Sequence, residues 1–154
     1  MGKFVTMMIL GLAAVLSLVA TPGHAALSNS NNPHVMCIPL GSPSVDATIL
    51  GGYSYGKKLV VSHVALLNGA NIAASDTDFV QLELRKGATV VAELDSRAAH
   101  ENGIASSVIE PLNIVAAEST IAANSVLSVV YNETDAGTNV ALTGAVLCMH
   151  YVVK

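Results

Sequence analysis

Residues 79–94 read FVQLELRKGATVVAEL. Val80, Leu82 and Leu84 alternate with Phe79, Gln81, Glu83 and Arg85, and beyond Lys86-Gly87 the set Val90, Ala92 and Leu94 alternates with Val91 and Glu93. A period of two sends successive side chains to opposite faces of a strand, so each run has one face for a core and one for solvent. Gly87 supplies the positive φ that a tight hairpin turn requires. The stretch predicts an antiparallel hairpin with Val80, Leu82 and Leu84 inside. Phe79, Gln81, Glu83 and Arg85 face outward and are the candidate assembly face.

The same rhythm extends in both directions. Upstream, strands are expected over 34–40 (HVMCIPL), with Pro39 at its end or at a sheet edge, over 45–50, and over 58–67 (KLVVSHVALL). In the last of these Val61, His63, Ala65 and Leu67 fall on one side. Gly41-Ser42-Pro43 reads as a turn, 51–56 as a loop with aromatic content, and 68–78 as a loop leading into the hairpin. Downstream, 95–103 is polar and 106–116 holds one or two short strands broken by Pro111. Residues 117–124 suit a helical turn, 125–131 a strand, 132–138 a turn, and 139–153 a closing strand or strand pair interrupted by Gly144. About eight strands without a convincing helix predict an all-β fold, an antiparallel β-sandwich of jelly-roll type, with a closed barrel as the alternative.

Residues 1–25 have the layout of a secretory signal. Lys3 is the charged start, 4–20 is an apolar run expected to be helical, and Gly23 and Ala25 are the small residues before a cleavage point. A retained membrane anchor is the alternative, because the run is of borderline length for a bilayer. Residues 26–33 form a polar arm and 34–154 a single domain.

Composition narrows the function classes. Charged residues make up 12% and aromatics 4% of the 154 residues, and Trp is absent. So few aromatics argue against a deep ligand pocket, and so little charge leaves a surface poorly defended against self-association. With a net charge of −4 and no basic cluster beyond Lys57-Lys58, nucleic-acid binding is not expected.

The two cysteines, Cys37 and Cys148, sit in the first and last strands. If these strands are neighbours, export permits a disulfide, which the chain-entropy model values at about 4–5 kcal/mol for so long a loop. Free thiols serving as small core residues are the alternative. His34 and His150 share those strands with Met36 and Met149. The order Cys148-Met149-His150 nevertheless sends neighbours to opposite faces, and no His-x-His, Cys-x-x-Cys or His-Glu-x-x-His spacing occurs. No metal site and no cofactor are expected on this basis. Asp76, Asp78 and Asp95 could gather at hairpin ends to bind calcium, although loop carboxylates are more often solvated. No nucleophile elbow, credible Ser or Cys with a base, or phosphate-binding glycine loop appears, so an enzyme is not expected. Tyr53 and Tyr55 suit either a carbohydrate-stacking platform or ordinary loop packing, and packing is the commoner use. Asn132-Glu133-Thr134 is a formal glycosylation sequon in an expected turn.

The hairpin VQLELRKGATVVAELDSRA, the strand IAANSVLSVVY preceded by PLNI, and the closing LTGAVLCMHYV resemble the small β-sandwich proteins that decorate tailed-phage heads or form their fibres. The similarity spans 79–151 and lies in strand rhythm. It implies a non-enzymatic protein that projects from a capsid lattice and clamps neighbouring subunits, usually as a trimer, at the virion surface. The signal-like N-terminus implies the other setting: an exported subunit of a surface layer, filament or adhesive module. Partners are then further copies of the chain or a capsid or surface lattice protein, with membrane contact only through residues 1–25 if uncleaved.

Overall fold

Strand β1 (His34–Gly41) opens the fold at a sheet edge, and the last strand, β10 (Ala145–Val153), runs antiparallel beside it. A computed structural model describes residues 32–100, 103–134 and 140–154. The 1–25 segment and most of the 26–33 arm lie outside the described residues. Between the terminal strands come β2 (Ala47–Tyr53), β3 (Leu59–Leu67), β4 (Phe79–Lys86), β5 (Thr89–Asp95), β6 (Ile109–Pro111), β7 (Asn113–Ile114), β8 (Thr120–Ile121) and β9 (Val126–Thr134). One sheet has the order β1-β10-β3-β6, with β8 also paired to β3, and the other β2-β9-β4-β5-β7. The chain changes sheet at every step from β1 to β10 except β4 to β5, so the two sheets are built up together as a jelly-roll-like sandwich. Both sheets keep open edges, so the barrel alternative is set aside.

The hairpin forms as its alternation requires. Val80, Leu82 and Leu84 are fully buried, together with Leu127, Val129 and Tyr131 of β9 and Leu66, Leu147 and Met149 of the facing sheet. Each fully buried aliphatic side chain contributes about 1.5–3 kcal/mol by leaving water. Gly87 has φ +59° and Ala88 does not share it, the pattern of a type II′ turn.

Two bulges correct the simple alternation. Leu84 pairs with Ala92 and Arg85 with Val90, so Val91 is the extra residue. Val91 and Ala92 are therefore both buried, and Val90, expected inside, is half-exposed. In β3, His63 pairs with His150 and Val61 with Tyr151, leaving Ser62 extra. Val61 consequently turns into the core while His63 and Leu67 stay outside, so the four residues expected on one side are divided. A bulge shifts the phase of a strand by one residue, which hydrophobic pattern alone does not display. Other departures are smaller: β2 runs on through Gly51 and Gly52 to Tyr53, and the sequon Asn132–Thr134 ends β9 instead of lying in a turn. Pro111 ends β6, and Asn113–Ile114 joins the other sheet. A 3₁₀ turn occupies Ala116–Glu118.

Three buried polar residues tie the loops to this core. Ser96 Oγ accepts from Val80 N (2.9 Å), and Ser54 Oγ donates to Ala122 O (2.8 Å) and accepts from Ser125 N (2.8 Å). Asn68 accepts from Thr143 N (2.8 Å) and donates to Ala70 O (2.7 Å). Each bond satisfies the buried side chain itself, and the one from Val80 N also satisfies a buried backbone donor.

Candidate functional surface

Register across the β1-β10-β3-β6 sheet arranges its outward side chains in rows. Pro39, Val146, Leu67 and Ile109 form one row; Cys37, Cys148, Ala65 and Pro111 form the next; Val35, His150 and His63 form a third. These rows hold no Asp, Glu, Lys or Arg. Val35 is 55% exposed, Leu67 44% and Ile109 67%, so this is apolar surface left in water, not the wall of a core.

Cys37 and Cys148 are bonded within the second row, closing a loop with a sequence separation of 111. Their Cα atoms are 4.0 Å apart, the close spacing of a non-hydrogen-bonded cross-strand pair. Pro39, two residues on, shares that phase and points its missing N–H toward the open edge. A strand edge with one donor fewer is a poorer template for another strand, so β1 is protected against edge-on pairing while its face stays bare.

The outer face of the second sheet is of the opposite character. Phe79, Gln81, Glu83 and Arg85 stand there half-buried, as the hairpin predicted. Arg85 pairs with Glu83 at 2.5 Å, and Arg97 pairs with Asp95 and lies over the Phe79 ring, 5.2 Å from its centroid. Burial alone would raise the Asp95 carboxyl, but hydrogen bonds from Arg97 and from the Gln81 amide (3.1 Å) hold it below the usual carboxylate value. Gln81, Glu83, Glu93, Asp95, Arg97 and Asn113 border a depression of about 100 Å³. Two of its carboxylates, Glu83 and Asp95, are already paired with arginines.

The remaining candidates separate. Asp95 is engaged with Arg97, Asp76 accepts from Ala99 N (2.9 Å), and Asp78 accepts from Thr77 Oγ1 (3.0 Å), so each carboxylate already has a partner of its own. Tyr53 and Tyr55 meet edge to face at 5.1 Å, exposed on the rim. His34 faces inward and stacks on Tyr151 at 5.5 Å, with its Nε2 buried and without a hydrogen-bond partner. Among the described residues no group of three or more His, Cys, Asp or Glu side chains could hold a metal. A groove of about 440 Å³ is lined by Asn71, Ile72, Ala73, Ser75, Asp78, Val140 and Ala141, with Asp78 as the one titratable group among the described residues that line it.

One pairing escaped the sequence reading. His63 and His150 lie directly opposite each other, with ring centroids 5.6 Å apart. Nothing in linear spacing announces a pair that meets only through strand register. No protein-family model matches the chain, and no curated protein matches it.

Proposed function

We propose that this chain is a non-catalytic structural subunit that works by repeated association, using the outer face of the β1-β10-β3-β6 sheet against another copy of itself. The observation that carries the reading is the absence of charge from the rows Pro39–Val146–Leu67–Ile109 and Cys37–Cys148–Ala65–Pro111. Copies that each carry a net charge of −4 repel one another, so an uncharged apolar face is where close approach costs least. The face bearing Phe79, Gln81, Glu83 and Arg85 is less suited, since contact there would desolvate ion pairs already satisfied by water and each other.

The Cys37–Cys148 bond supports the exported setting, a surface-layer or filament subunit released after Ala25, because disulfides persist in oxidising compartments. The phage-decoration reading shares the mode of action and differs in compartment. Sedimentation of the 26–154 chain over a concentration series tests association: wild type is expected to form oligomers, and Leu67→Lys with Ile109→Lys to remain monomeric with an unchanged circular dichroism spectrum. A wild-type chain that stays monomeric at the highest concentration reached would remove the proposal. Mass spectrometry of the native N-terminus separates the settings, a start at Ala26 favouring export and an intact Met1 or Gly2 favouring cytoplasmic assembly.

A further inference from the structure

We infer that His63 and His150 together form a binding site for a late first-row divalent ion of the zinc, nickel or copper class. The inference starts from the bulge. Strict alternation from the buried Val61 would send His63 into the core, and the extra residue Ser62 turns it out instead, opposite His150. Bulges re-aim side chains in this way beside functional sites. Here the result is two imidazoles from adjacent strands over one patch of surface.

The spacing fits one ion. A zinc–imidazole bond is about 2.0–2.1 Å, which puts each ring centroid roughly 3 Å from the metal and two such rings roughly 5–6 Å apart. The observed separation is 5.6 Å, with the ring planes 73° apart. Ligand type decides the class of ion. Imidazole suits zinc, copper and nickel, whereas calcium and magnesium want several oxygen ligands, and the rows of this face offer no carboxylate. Those rows also hold no Lys or Arg to repel a cation, and the net charge of −4 favours its approach. The nearby Ser62 hydroxyl is turned to His150 O (3.3 Å). The site is thus a two-histidine chelate with water in the other positions, and it joins β3 to β10. It does not depend on whether the face associates.

Zinc chloride titrated into the disulfide-bonded 26–154 chain at neutral pH, followed by calorimetry, tests the assignment. One ion per chain is expected, with binding weakened roughly tenfold or more in His63→Gln and in His150→Gln and unchanged in His34→Gln and His100→Gln. Binding is also expected to raise the melting temperature, because an ion held only by the folded chain stabilises it. The same titration on the Leu67→Lys chain keeps a failure to bind distinct from a failure to associate. No heat and no melting shift at millimolar zinc would overturn the site. So would binding that survives both His63→Gln and His150→Gln.

Discussion

Tyr131 is the residue whose burial has the plainest consequence. Its ring is fully buried, and its hydroxyl donates to Val140 O at 2.7 Å, while Glu133 accepts from Val140 N at 2.8 Å. Burial, helped by the charges of Glu133 and Asp46, pushes the phenol up to about 12. The unfolded chain ionises this group near its ordinary value of about 10, so the folded state alone keeps the proton between these pH values. The contribution is whole below pH 10 and is lost as pH rises through about 12. Denaturant titrations across that range should show stability falling with pH. Tyr131→Phe should flatten the fall, at a cost of about 1 kcal/mol at neutral pH for the lost hydrogen bond. Asp95 gives the mirror case at the acid end. Burial opposes its ionisation, the Arg97 and Gln81 bonds more than offset this, and its contribution is lost as pH drops below about 3.8. Gly69 is constrained by space: a Cβ there would lie 2.7 Å from Thr143 O, a backbone atom that also accepts from Gly69 N. Gly69→Ala should cost about 1–3 kcal/mol in chemical denaturation. The approach of Gly69 to Thr143 is not legible in the sequence, because it joins residues far apart along the chain; the Asp95–Arg97 contact is local, but alternation says nothing of its geometry.

At the scale of elements, periodicity was a sound guide to faces and a poor one to phase. Val80, Leu82 and Leu84 point inward because three strands of alternating pattern have one consistent solution, and a one-residue slip would expose them all. Val80→Asp or Leu82→Asp should leave no folded population by circular dichroism, since either buries an unpaired carboxylate. Glu83→Lys should change stability by no more than about 1 kcal/mol, because it trades the Arg85 ion pair for a favourable partner in the facing Glu93. Phase failed at Val90 and His63, on either side of bulges that no local signal marked. Strand pairing across the sheets was equally hidden, and with it the meeting of His63 and His150. By contrast, the proximity of Cys37 and Cys148 was foreseeable from their placement in first and last strands, a pairing that a jelly roll brings about.

For the whole molecule, the outer faces of the two sheets differ in charge among the described residues. Charge-bearing side chains of β4, β5 and the Arg97 turn gather on one outer face, and the other bears proline, valine, leucine, isoleucine and a disulfide. This division was not readable from composition, which reports how few charges there are and not where they go. If association uses the apolar face, added salt should strengthen it in sedimentation runs, because screening removes repulsion between like-charged copies and leaves apolar contact intact.

The bond between Cys37 and Cys148 has a mechanical consequence. His34 and Tyr151 are cross-strand partners, so both ends of the described domain leave from the same end of the β1–β10 pair. A pull on the two ends peels those strands like a zip until it meets the sulfur bridge, a few residues in. From there tension runs through covalent bonds, and everything between the cysteines carries no load. Stretched singly in a force spectrometer, the oxidised chain should lengthen only by its tails. Adding a reductant during the pull should release the enclosed loop, a sequence separation of 111, in a further extension of roughly 350–400 Å. A module so clasped could sit in a strained fibre or layer and stay folded while its neighbours are dragged apart.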